Sequence, residues 1–142
     1  MTTAKAPPLF HLAIPVDDLA AADAFYGALM GCAKGRRTAE WTDYNFFGHQ
    51  LVTHLSAEAG HQNTNKVDGE DVPVRHFGVI LDHEDWRSLA DRMLAAGADF
   101  IIPPTLRHKG QPGEQHIFFV RDPAGNALEF KSFRNPDDVF AV

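Results

Sequence analysis

Two stretches of this chain repeat one another in register, and that repeat limits the fold more than any other feature of the sequence. Phe10-His-Leu-Ala-Ile-Pro-Val16 leads into Asp17 and an Ala-rich amphipathic stretch that stops at Gly31. Sixty-five residues after the first histidine, Arg75-His-Phe-Gly-Val-Ile-Leu81 leads into Asp82 and a second amphipathic stretch that stops at Gly97. His11 matches His76, and Asp17 matches Asp82, at the same offset. Each half therefore reads as strand, helix and further strands, and two copies of one small module is the economical description.

The helices carry their own start and stop signals. Asp82 is placed to cap the second helix, with Trp86, Leu89, Ala90, Met93 and Leu94 on one face and Gly97 as the stop. In the first half, Asp17 or Asp18 caps a helix whose face is Ala22, Phe25, Tyr26 and Leu29. Strands are predicted over 36–41, 44–47 and 51–56, and again over 99–102, 116–121 and 127–133. The last two flank Asp122-Pro-Ala-Gly-Asn126, a strong turn signal. Residues 57–74 form a polar linker between the modules, and 103–115 form a long loop rich in Pro, Gly and charge. The expected fold is α+β: two tandem βαβββ modules, about 9–56 and 75–133, making one domain over 1–142 with a curved mixed sheet.

Composition excludes several classes. Thirteen Lys plus Arg against 19 Asp plus Glu gives a net charge of −6, the wrong sign for a nucleic-acid binder. No run of about 18 uncharged apolar residues is present to span a membrane. The N-terminal segment lacks the apolar centre of a signal peptide. The single Cys32 has no partner for an intrachain disulfide, and it reads as structural rather than nucleophilic. A reducing, cytoplasmic setting is expected.

His11 and His76 open equivalent strands, and Glu129 sits in the last strand among apolar neighbours, where a carboxylate needs a cation or donors. Two imidazoles and one carboxylate would make a three-ligand metal site with open positions. Pseudo-symmetry is expected to bring the two histidines close.

Those histidines, with Asp122-Pro-Ala-Gly-Asn-Ala-Leu-Glu129, resemble the vicinal oxygen chelate superfamily, which includes glyoxalase I, extradiol dioxygenases, fosfomycin-resistance transferases and bleomycin-binding proteins. Asn45-Phe-Phe-Gly-His-Gln50, Pro73-Val-Arg-His-Phe-Gly78 and Lys109-Gly-Gln-Pro-Gly-Glu-Gln115 are similar to small bacterial proteins described as predicted extradiol-dioxygenase-family members. The resemblance implies metal ligation by His11, His76 and Glu129, with His54 as a fourth ligand or a base. It implies an Fe(II) extradiol-type dioxygenase acting on a small substrate that chelates through vicinal oxygens, and a homodimer that in some relatives exchanges modules. The alternatives are a glyoxalase-like isomerase or lyase using Zn, Ni, Mn or Co, and a small-molecule-binding resistance protein. Ring-cleaving relatives keep a Tyr and a His beside the metal, yet His116-Ile-Phe-Phe-Val120 has no tyrosine. Tyr44, His116 and His54 are the remaining acid–base candidates. His49 and Gln50 are candidates to orient substrate, and Lys109 and Glu114 to meet it from the long loop, where Arg107 and His108 add charge that would draw an anionic substrate. Trp41, Phe46, Phe47 and Phe118 are candidate pocket walls.

Overall fold

Local capping fixes where each helix begins. The computed structural model describes residues 4–59, 63–67 and 69–141. In it the Asp18 side chain accepts from the Ala21 amide at 3.0 Å, and Asp82 accepts from the Asp85 amide at 2.8 Å. The first cap is thus Asp18 rather than Asp17. The start of the N-terminal segment, Met1 to Thr3, lies outside the described residues, as do 60–62 and 68 of the linker.

Module one runs β1 (His11–Val16), α1 (Leu19–Ala22, continued by a π-helical segment Asp23–Leu29), β2 (Ala33–Arg37), β3 (Trp41–Phe46) and β4 (His49–Leu55). A hairpin of β5 (Asn63–Val67) and β6 (Glu70–Val74) follows. Module two runs β7 (His76–Phe77), α2 (His83–Ala95), β8 (Asp99–Arg107), β9 (Gln115–Arg121) and β10 (Ala127–Phe133), and a short 3-10 turn (Pro136–Phe140) comes last. Each module builds its own four-stranded mixed sheet, ordered β1-β4-β3-β2 and β7-β10-β9-β8. The repeat read from sequence is therefore a repeat of topology: in both sheets the first strand lies parallel to the fourth.

One apolar core joins the modules. Phe25 and Tyr26 from α1, Trp86, Leu89 and Met93 from α2, and Ile14, Phe46, Phe118 and Phe130 from the sheets all belong to it. Leu94, expected on the apolar face of α2, is instead half exposed at 49%. Trp86 is fully buried, and its indole N–H donates to the Phe130 carbonyl at 3.0 Å. A second, small cluster of Val72, Ile102, Ile117 and Phe119 lies where the β5–β6 hairpin meets the opposite face of module two's sheet.

The Asp122 turn locks the halves together. Asp122 Oδ1 accepts from the amides of Ala124 and Asn126, at 2.9 and 2.8 Å. Asp122 Oδ2 accepts from the Tyr26 hydroxyl at 2.7 Å and from Asn126 Nδ2 at 2.9 Å. Asn126 Nδ2 also donates to the Pro15 carbonyl at 2.8 Å. Burial, with the Asp122 charge beside it, pushes the Tyr26 phenol well up, so it stays a donor.

Three boundaries differ from expectation. β2 begins at Ala33 rather than at 36, β8 continues through Pro103 and Pro104 to Arg107, and the linker contains the β5–β6 hairpin. β8 is an edge strand with two register shifts, which is where a sheet accepts proline. Among the described residues, no helix is long and apolar enough to cross a membrane.

Candidate metal centre

Strand register decides what each sheet shows on its face away from the shared core. In β1, Ile14 and Val16 point into the core, so His11, Ala13 and Pro15 share the opposite face. β4 lies parallel with His11 opposite Gln50, Ala13 opposite Val52 and Pro15 opposite His54. In module two, His76 stands opposite Ala127, and Ile80 opposite Lys131. The same register sets Gly78 against Glu129. His76 and Glu129 are thus diagonal neighbours on one face, and both line a shallow pocket of about 240 Å³. Gly78 leaves room between them: a Cβ there would collide with the Glu129 carbonyl.

Hydrogen bonds set both imidazoles for ligation. His76 Nδ1 lies 2.7 Å from the Pro73 carbonyl, which can only accept. Nδ1 therefore carries the proton, and the Nε2 lone pair is free. His11 Nδ1 meets Gln50 Oε1 at 2.9 Å, with the same consequence for its Nε2. Metal-binding histidines are held in this way by an acceptor on the other ring nitrogen. Glu129 is 9% exposed and ion-pairs with Lys131 at 3.2 Å. These donors suit a divalent cation. They do not gather within one chain: among the described residues no three His, Cys, Asp or Glu side chains converge. His11 lies on module one's sheet, and His76 with Glu129 on module two's.

The repeat also identifies what stands where a fourth ligand would. Val52 opposes Ala13 as Glu129 opposes Gly78, so Val52 is module one's counterpart of Glu129 and offers no donor atom. His54 is the counterpart of Lys131, on the same face as His11 but four residues past Gln50, about 13 Å along the strand.

The other expected site residues fall in separate places. Tyr44 points into the core, donates to Asp23 at 3.1 Å and packs against Tyr26. Burial first, then the Asp23 charge, holds its phenol far above the usual range. His116 points toward α2, with ring centroids 4.8 Å from His83 and 5.2 Å from Trp86. Burial first, then His83 and Arg87, lowers its pKa. Neither shares the face of His76 and Glu129. His49 is fixed by the Phe10 amide, which donates to Nδ1 at 2.9 Å. Glu114 accepts from the Gly110 amide at 2.7 Å and pairs with Arg134, holding its own loop. Lys109 lies in that loop's tip, and Arg107 is engaged by Glu70 at 3.1 Å. Of the proposed walls, Phe46 and Phe118 are core residues, whereas Trp41 lies on the open face beside His54 under the Arg36 guanidinium.

Asp43 of these faces goes unnoticed in the sequence, and Lys131, which alternation sets on the face of Glu129, is given no role there. Asp43 opposes Val52 from β3, and Lys131 flanks Glu129. Only the register places Asp43, because it looks like a solvated strand charge when read alone.

The comparisons bear on the fold and the family. Residues 9–130 match the family model described as the glyoxalase/bleomycin resistance protein/dioxygenase superfamily. The chain belongs to that superfamily. No match is found among curated proteins. Among solved structures, a glyoxalase/bleomycin resistance protein/dioxygenase from Alicyclobacillus acidocaldarius is 32% identical, covers 94% of this chain and 96% of its own, and has a TM-score of 0.80. The fosfomycin resistance protein FosX of Listeria monocytogenes is 15% identical over 94% of this chain and 98% of its own, TM-score 0.70. A lactoylglutathione lyase from Agrobacterium tumefaciens is 21% identical over 97% and 100%, TM-score 0.63. The last two likenesses establish the shared superfamily fold only.

Proposed function

We propose that this protein is a divalent-metal enzyme whose centre forms between two copies of the chain. His11 of one copy would join His76 and Glu129 of the other, each histidine ligating through Nε2. Support comes from the two half-sites, which lie on different sheets and both face away from the shared core. The proposed reaction is an Fe(II)-dependent extradiol-type oxygenation of a small molecule bound through vicinal oxygens, in the reducing cytoplasm. The observation that carries it is Val52, which leaves a two-His, one-carboxylate set with no fourth side-chain ligand. When bound, the ion supplies a Lewis-acid centre with open positions for substrate oxygens and, as iron, for O₂. The protein's part is to orient the imidazoles through Pro73 and Gln50, and to line the approach with Trp41, His54, Asp43 and Lys131. His54 is the histidine on the open face available to move a proton.

One observation favours a second reading, a glyoxalase-like lyase or isomerase using Zn, Ni or Mn. Tyr44 and His116, two of three acid–base candidates for oxygen chemistry, point into the core. Metal analysis of protein purified anaerobically, without chelator or affinity-tag metal, separates the two. Near-stoichiometric iron with oxygen uptake on catechols supports the first, and activity that persists without oxygen supports the second. The shared site has its own test. His11→Ala and His76→Ala chains, each without metal, should regain about a quarter of native sites when refolded together, since half the dimers are mixed and each has one intact site. Recovery of none would place the ligands within single chains.

A further inference from the structure

Lys131 has an environment that the metal reading alone leaves unexplained. Its backbone is held on the β7 side, where its amide donates to the Val79 carbonyl at 3.2 Å and its carbonyl accepts from the Leu81 amide at 2.8 Å. On the other side it pairs with Ile117 of β9. The side chain is therefore launched from a fixed position onto the face of Glu129, and Nζ reaches Oε1 at 3.2 Å. Among the described residues lining that pocket, Glu129 and Lys131 are the charged pair, and Lys131 is the one cation. A divalent ion on Glu129 and His76 would take over the carboxylate's charge and leave the ammonium beside a second cation. Such a juxtaposition is repulsive unless a further anion lies between them. Module one carries a basic residue, His54, at the same position, so the repeat keeps a potential cation there on both sheets.

We infer that Lys131 is the residue that recognises the substrate's charge, and that the substrate is a small vicinal-oxygen chelator that also bears a carboxylate, rather than an uncharged diol or dicarbonyl. The inference rests on the metal site proposed above and adds the substrate class to it. The vicinal oxygens would meet the metal, leaving the carboxylate to the protein. That carboxylate would accept from Lys131 Nζ and replace the contact to Glu129.

The test uses full-length protein loaded with Co(II), whose visible absorption reports ligands directly. Oxalate serves as the anionic bidentate probe and imidazole as the neutral one. In Lys131→Met, oxalate affinity should fall about 10- to 100-fold, the value of one charge-assisted hydrogen bond. Imidazole affinity should stay within about twofold and Co(II) affinity should rise. Lys131→Arg should retain oxalate binding. Unchanged oxalate affinity in Lys131→Met, or equal losses for oxalate and imidazole, would overturn the inference while leaving the metal site standing. Co(II) binding that is indifferent to Glu129→Gln and His76→Ala would instead overturn the site itself, and the inference with it.

Discussion

Removing one oxygen atom at Tyr26 tests whether the Asp122 turn holds the modules together. Tyr26→Phe keeps the ring, so its packing on Phe25 and Tyr44, at centroid separations of 4.9 and 5.8 Å, survives and no cavity opens. What is lost is the 2.7 Å donor to a carboxylate that is 5% exposed. Hydrogen bonds to charged groups contribute about 1.5–3 kcal/mol. Asp122 keeps the Ala124 and Asn126 amides and Asn126 Nδ2, so the expected loss is near the lower half, about 2 kcal/mol. For a domain of this length that corresponds to a fall in Tm of about 6–8 °C. Urea unfolding at one fixed protein concentration should show a lower midpoint with an unchanged slope. Asp122→Ala strands the phenol, two amides and the Asn126 side chain at once, so it should cost about 4 kcal/mol or more. A loss below about 0.5 kcal/mol for Tyr26→Phe, with Asp122→Ala no worse than about 1 kcal/mol, would refute the reasoning.

Three further outcomes follow from the same geometry. Because His116 is held below the ordinary histidine value, the unfolded chain binds its proton more readily, so its contribution is present above pH about 6.5 and is lost as pH falls through the folded value. Urea midpoints at pH 7.5 and 5 should therefore diverge less in His116→Gln than in the native protein, and an unaltered pH slope would count against the assignment. Gly78→Ala should force β7 away from β10, lowering stability by about 2 kcal/mol or more and weakening metal binding. Native stability and native metal affinity in that variant would contradict the close approach. Cys32, pushed up to about 11 by burial, should react with thiol reagents at pH 7.5 only after unfolding; rapid reaction of the folded protein would show the site to be open.

Much of this is legible in the amino-acid sequence alone. The 65-residue offset, the aspartate caps and the Asp-Pro-Ala-Gly-Asn turn are local chemistry, and local chemistry survives folding. What stayed hidden is register. Alternation says that Glu129 and Lys131 share a face but not which face meets the helices, so Tyr44 and His116 looked as available as His54. The correspondence of Val52 with Glu129 needs two strand pairings at once, and no single stretch of sequence carries both. β2 is exposed along its whole length, and β8 has prolines at a shifted edge. Neither shows the apolar rhythm by which strands are recognised. The loop charges read as an attractive cluster because their partners, Glu70 and Arg134, lie far away in sequence.

The two tryptophans divide between the modules in a way that gives the molecule a built-in optical reporter. Trp86 sits without solvent contact against Phe118 and His116, so its emission belongs to the folded core, responds to imidazole protonation, and shifts to the red only when the chain opens. Trp41 lies half-buried on module one's open face under Arg36, beside His54, where the second subunit proposed above would change its surroundings without disturbing the core. Replacing either by Phe isolates the other. Events at the open face and unfolding of the core then become separately visible in unlabelled protein, as two signals from one chain.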